Sequence, residues 1–246
     1  MVKFMVLCTK VIAASIAAVL FSSCHANIDL GNGIDGNGNV TKETRKVENN
    51  FTKVDVSRGL TVVLEQSNTY FVEVEADQNL QEHITTRVEN GTLVITSDEN
   101  IDEASSKKVY VKLPALTSIE TSSGSSVSSQ NTFNGTEISI RTSSGSETNV
   151  SLEFENVKCK ATSGSSIVLR GKALKLDTDS SSGSDIDAKG LSVNDVVAES
   201  SSGSSTNVSP AVSLTAKASS GSSIDYNTSP KTVSKEESSG GSVSKE

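Results

Sequence analysis

The chain has 246 residues and a formal net charge of −8, with 4% aromatic residues and no tryptophan. The negative charge argues against a nucleic-acid partner and against electrostatic docking on anionic lipid, because both of these are negative themselves. A compact globule of this length usually has more large apolar residues, so the composition favours a β protein with a thin core.

Residues 1–23 are predicted to be a lipoprotein signal peptide. Lys3 and Lys10 carry positive charge, and the apolar segment 11–21 is too short to span a bilayer. Small residues stand directly before Cys24, as in a bacterial lipobox. We therefore expect cleavage before Cys24, lipidation of its thiol and attachment to a membrane. The alternative is ordinary cleavage nearby, which would release a soluble protein.

Residues 24–47 are polar and rich in glycine and asparagine. Clustered glycines can bind phosphate, but such a site needs a strand before the glycines and a helix after them, and the sequence predicts neither. This segment is therefore predicted to be a flexible tether that holds the folded part away from the membrane.

Residues 48–116 are predicted to form divergent β coils. Apolar and polar residues alternate in several short segments, and Gly59 is a candidate early corner. Asn90-Gly91 lies between two such segments, which is a strong hairpin signal. His83 is the only histidine beyond residue 47, and no catalytic pattern surrounds it.

Residues 117–246 contain seven copies of Ser-Ser-Gly-Ser or a close variant, 18 to 21 residues apart. Their glycines are Gly124, Gly145, Gly164, Gly183, Gly203, Gly221 and Gly240. A fixed period near 20 is typical of a solenoid, and apolar residues alternate with polar ones around each glycine, as in half-buried strands. The sequence predicts an all-β, single-stranded parallel β-helix with coils of about 20 residues, in which each glycine is a structural corner with positive φ.

Serine precedes all seven corner glycines. We interpret its hydroxyl as a structural group of the corner, with a polar ladder presented to a ligand as the alternative. Cys159 falls on an inward position and is expected to be a small buried hydrophobe. The chain becomes polar from Lys231 onward, which predicts a C-terminal cap over the open sheet edge.

Several short motifs follow one another in a characteristic order: Gly-Asn-Gly-Asn-Val at 36–40, Asn-Gly-Thr-Leu-Val-Ile at 90–95, Leu-Pro-Ala-Leu-Thr-Ser-Ile at 113–119 and then the serine–glycine repeats. Together they resemble the family of the putative auto-transporter adhesin, head GIN domain, over residues 36–243. The resemblance implies a secreted or lipid-anchored β-helical protein of Bacteroidetes-type bacteria, and it supplies no catalytic residues.

Two classes of function fit these observations. The first is a non-enzymatic protein of the cell envelope, anchored through Cys24 in the outer membrane, that acts as an adhesin or a scaffold for glycan or protein. The alternative is a β-helix enzyme that acts on polysaccharide. The dense acidic group of the repeats is Asp177, Asp179, Asp185 and Asp187, and their arginines are Arg141 and Arg170. Because Asp177 and Asp187 fall on outward positions, a solvated face is favoured, and we expect no catalytic site, no metal and no cofactor.

Overall fold

The computed structural model describes residues 33–246, of which Ile34–Glu246 form one compact unit. In this part of the chain 16 strands join in one sheet, and there is one 3-10 turn at Gln78–Leu80 and no α-helix. In chain order the strands are β1 (Val40–Thr44), β2 (Lys53–Val56), β3 (Thr61–Gln66), β4 (Phe71–Asp77), β5 (Ile84–Glu89), β6 (Thr92–Ser97), β7 (Lys107–Leu113), β8 (Ser118–Thr121), β9 (Ser126–Thr142), β10 (Glu147–Ala161), β11 (Ser166–Ser180), β12 (Asp185–Ser200), β13 (Ser205–Ala218), β14 (Ser223–Tyr226), β15 (Thr232–Glu237) and β16 (Ser242–Lys245).

The long strands β9–β13 form the regular part of the solenoid. Each begins just after one corner glycine and ends just before the next, and neighbours pair in parallel. The chain makes about seven coils of about 19 residues, which confirms the predicted single-stranded parallel β-helix. Val157 lies between Ile138 and Leu176 of the adjacent coils, so equivalent residues stack in columns.

The core consists of these inward columns. Side chains alternate between buried and exposed along most of each long strand, because successive residues of a strand point to opposite faces. The alternation shifts by one residue in mid-strand, as at Leu174 and Lys175 of β11, which are both exposed. One column contains the buried residues Ile138, Val157, Leu176, Val196 and Leu214. Cys159 is buried in the next column as a free thiol. Burial, and secondarily the charge of Asp177, raises the pKa of this thiol, so Cys159 behaves as a small hydrophobe and not as a nucleophile.

The N-terminal strands differ from the expected series of coils. β2 and β3 form the first coil, but they pair directly with β8 and β9, far ahead in sequence. β6 and β7 lie on the other edge of this coil, and β5, β4 and β1 add to them as antiparallel strands. Asn90-Gly91 forms the hairpin turn between β5 and β6. Together, β1 and β4–β7 cover the outer edge of the first coil and close the N-terminal end of the stack.

The predicted flexible tether is wrong from residue 34 onward, while its first part, up to residue 32, lies outside the described residues. β1 pairs with β4, and Ile34 forms a bridge with Ile101. The Asp77 carboxylate, which is 0% exposed, accepts hydrogen bonds from the amides of Gly38 (2.9 Å), Ser105 (3.3 Å) and Ser106 (3.0 Å). The composition of the segment around Gly38 alone predicts a linker, but the hydrogen bonds to the buried Asp77 carboxylate order it.

Replacing Asp77 by asparagine is expected to lower the free energy of unfolding by about 1–3 kcal/mol at neutral pH, because one of its two acceptor oxygens becomes an NH2 group that faces a buried backbone donor. Burial raises the pKa of Asp77, but the three donated hydrogen bonds outweigh it and hold the pKa below its ordinary value. Such a carboxyl stabilises the fold above its unfolded pKa, and that contribution is lost as the pH falls through the folded pKa. Denaturant unfolding from pH 7 downward should therefore show a loss below about pH 4 that the Asn variant lacks.

The exposed Glu199 is the control for this measurement, since it has no ion pair within the described residues. Glu199→Gln should follow the pH profile of the wild type. If Asp77→Asn also follows that profile, Asp77 does not fix the N-terminal segment in the way described.

The last coil has polar residues where earlier coils have inward side chains. Lys235 Nζ donates to the carbonyl of Val243 (2.8 Å) and lies 5.0 Å from the ring of Tyr226. Glu237 Oε1 accepts from the amide of Val243 (2.6 Å). These contacts occupy backbone groups near the open end of the stack, which makes the end a poor template for another strand.

Candidate binding surface

The seven predicted corners are tight turns whose two central residues both have positive φ. The serine before each glycine has a φ of 47–56°, and the glycine itself has a φ of 68–78°. In most of these corners the amide after the glycine donates to the carbonyl three residues earlier, as Ser125 does to Ser122 (3.3 Å). Positive φ at both central positions is the signature of a type I′ turn. Arg58-Gly59 has the same geometry and forms an eighth corner.

Backbone hydrogen bonds connect these corners from coil to coil. The amide of Gly164 donates to the carbonyl of Ser182 in the next coil (3.1 Å), and Gly183 donates to Ser202 in the same way (3.1 Å). The side chains of the serines before the glycines are exposed. These serines therefore contribute through their backbone, and their hydroxyls form a polar ridge on the surface.

The prediction that the hydroxyl before the glycine stabilises the corner is wrong, because that role belongs to the serine after the glycine. Ser184 is buried; its Oγ donates to the carbonyl of Ala161 (2.8 Å) and accepts from the amide of Ser181 (3.1 Å). The same pattern recurs at Ser165 and Ser222. The signal was present in the sequence, because six of the seven glycines are followed by serine.

The acidic group of the repeats does not form one site. Asp177 and Asp179 lie in β11 before a corner, whereas Asp185 and Asp187 lie in β12 after it. Asp179 forms an ion pair with Lys160 (2.5 Å). The pKa of Asp185 lies above its ordinary value, mainly because this carboxyl is partly buried.

The other candidate groups are also separate. Arg141 pairs with Glu120 (3.3 Å) and Arg170 contacts Asn149, so neither arginine joins the acidic group. His83 is hydrogen-bonded to Asp98 (3.0 Å), just ahead of β5. Within residues 33–246 no group of three or more His, Cys, Asp or Glu side chains is arranged to hold a metal ion. Cys24, the expected lipidation site, lies outside the described residues.

A column of charged residues runs along the outer face of the strands that precede the corners. It occupies the position four residues before each corner glycine, and the strand register places its members side by side: Asp55, Glu120, Arg141, Lys160, Asp179, Glu199, Lys217 and Glu236. We call this surface the charged face. Exposed ion pairs stabilise a fold by about 0–1 kcal/mol, so the column matters more for what the surface can bind than for stability.

A groove of about 730 Å³ lies at the N-terminal end of the charged face. Its lining residues are Lys53, Val54, Asp55, Glu89, Asn90, Thr92, Val94, Thr117, Ser118, Glu120, Glu137, Ser139, Arg141 and Lys158. Asp55 is half-buried on its floor; burial, followed by the charge of Glu120, raises the pKa of this carboxyl, while Arg87 lowers it. No local sequence pattern marks this groove, because β2, β6 and β8 become neighbours only in the folded chain.

These features define a parallel β-helix repeat protein with a charged outer face. Residues 50–230 match the family described as putative auto-transporter adhesin, head GIN domain, and the chain belongs to this family. Membership indicates a protein of the cell surface or envelope. In residues 33–246 there is no helix with the length and apolar character needed to cross a membrane.

Crystal structures of three bacterial proteins share the fold. A putative adhesin from Bacteroides fragilis superposes with a TM-score of 0.82 at 20% identity, covering 87% of this chain and 100% of its own. A putative adhesin from Parabacteroides merdae has a TM-score of 0.70 at 19% identity, covering 87% and 98% of the two chains. A putative lipid binding protein from Parabacteroides distasonis also has a TM-score of 0.70 at 19% identity, covering 87% and 99%. Among curated proteins none matches this chain.

Proposed function

We propose that this protein is a non-enzymatic adhesin of the cell envelope, anchored in the outer membrane by lipid on Cys24, whose β-helix binds glycan or protein. The family supports the adhesin class. The apolar segment that ends in small residues before Cys24 supports the anchor.

The charged face is the feature of the structure that best supports a binding role. Apart from Glu236 on the last strand, its residues stand on strands paired on both sides, so their positions are fixed by the backbone at intervals of about 4.8 Å. A rigid, regularly spaced polar surface suits recognition of an extended ligand, because little side-chain or loop ordering has to accompany binding. The alternative, an enzyme acting on polysaccharide, is less well supported, since the acidic group that it would use is divided by a corner.

The anchor is tested by replacing Cys24 with serine and fractionating the cells. The wild type should float with membranes and incorporate labelled fatty acid, whereas Cys24→Ser should do neither. Cys159→Ser is the matched control, since this buried thiol should not affect fractionation. Continued labelling of the Cys24→Ser protein would contradict lipidation at this residue.

The binding role is tested with purified Cys24→Ser protein on arrays of glycans and host-matrix proteins. Saturable binding is expected, with no change in the chain length of any polysaccharide that is bound. A decrease in chain length that disappears in Asp185→Asn or Asp187→Asn would replace the proposal by the enzymatic alternative.

A further inference from the structure

We propose that the groove at the N-terminal end of the charged face binds a linear glycan that carries free ammonium groups. This assignment depends on the proposed function, for which it supplies a site and a class of ligand. Three features support the assignment: the shape of the groove, its hydrogen-bonding groups and the distribution of charge on its floor.

The groove runs across five adjacent strands, β6, β2, β8, β9 and β10, and Glu89 at the end of β5 lies at its edge. With strands spaced about 4.8 Å apart, its floor is about 19 Å long and follows the axis of the solenoid. β2, β8 and β9 are paired on both sides, so no free strand edge is available there to receive a peptide strand. The shape therefore favours a linear ligand that is recognised by side chains.

The lining offers hydroxyl and amide groups from Asn90, Thr92, Thr117, Ser118 and Ser139, and it contains no aromatic residue. Recognition must then rely on hydrogen bonds and charge, because no ring is available for stacking. A chain that combines many hydroxyls with fixed charges meets this requirement, which favours a charged glycan over a neutral one.

The charges of the groove leave one carboxylate, Asp55, without an ion pair within the described residues. Arg141 pairs with Glu120 (3.3 Å) and Lys158 pairs with Glu137 (2.8 Å). Asp55 lies beside Glu120 in the strand register, and no ion pair or hydrogen bond holds its carboxylate within the described residues. Arg87, the cation whose charge acts on Asp55, is itself paired with Glu89 (2.5 Å). Lys53, on the same strand, stands instead beside Thr92 and Ser118.

A ligand ammonium group placed next to Asp55 and Glu120 would relieve the repulsion between these carboxylates. The net charge of −8 also favours the approach of a cationic ligand. The unpaired group and the charge of the whole chain thus point to the same kind of ligand.

The test uses a hexasaccharide of glucosamine and its fully N-acetylated counterpart, which has the same backbone without ammonium groups. At a pH where the amines are protonated, calorimetry should show binding of the glucosamine hexamer and at least about tenfold weaker binding of the acetylated one. Asp55→Asn should lose about tenfold in affinity while keeping its thermal midpoint, since the side chain keeps its shape. Glu199→Gln is the matched control, because Glu199 is an unpaired carboxylate of the same column outside the groove.

Equal affinity for the two hexamers, or unchanged affinity in Asp55→Asn, would overturn the assignment. Tighter binding of hexalysine would overturn the glycan in favour of a peptide. Binding of polygalacturonate that is lost in Arg141→Gln would show that the groove selects anions. If the array shows other ligands but the glucosamine hexamer does not bind, this assignment fails while the adhesin proposal stands.

Discussion

Replacing Gly171 by alanine is expected to lower the free energy of unfolding by about 2–5 kcal/mol, combining the cost of a left-handed conformation with that of overpacking. Gly171 has a φ of 113°, and an added Cβ would lie 2.1 Å from the carbonyl oxygen of Leu152 in the preceding coil. Leu152 is buried and paired with Gly171 in the register, so its backbone cannot move without disturbing both coils.

Gly183→Ala is the matched control for this substitution. Gly183 also has positive φ, at 69°, but an added Cβ would meet nothing within 4 Å. Only the conformational cost remains, about 1–2 kcal/mol. Denaturant midpoints of the two variants measure the difference, and a Gly171→Ala protein no less stable than Gly183→Ala would show that the close approach to Leu152 does not constrain the coil.

Leu176→Ala is the second substitution with a large expected effect. Leu176 is 1% exposed and lies between Val157 and Val196 in an inward column. Removing its side chain leaves a cavity in a packed core, which costs about 2–5 kcal/mol. The column is continuous, so the cavity weakens contacts with both neighbouring coils.

Leu174→Ala tests the same residue type on the same strand, at the point where the alternation shifts and both Leu174 and Lys175 are exposed. Leu174 is 51% exposed, so its truncation should change stability by no more than about 0.5 kcal/mol. Thermal or urea unfolding of the two variants separates burial from residue type. Equal midpoints would mean that the inward and outward positions of β11 are assigned to the wrong faces.

Local sequence is enough to predict the coils of the solenoid. The spacing of the glycines fixes the length of a coil, and the alternation around Leu176 fixes which side chains point inward, because a strand has a side-chain period of two. A glycine in every repeat also predicts a corner with positive φ. These signals are local and repeated seven times, so one copy supports the interpretation of the next.

The tertiary structure alone decided the features that depend on contacts distant in sequence. Asp77 orders residues near Gly38 only because folding brings together segments that are 39 residues apart. The pairing of β2 with β8 places Asp55 beside Glu120 and creates the groove, although no local pattern connects the two residues. Periodicity specifies how a strand pairs with its own repeat, whereas the closing of the stack and the composition of its surface groove depend on where non-repeating segments dock.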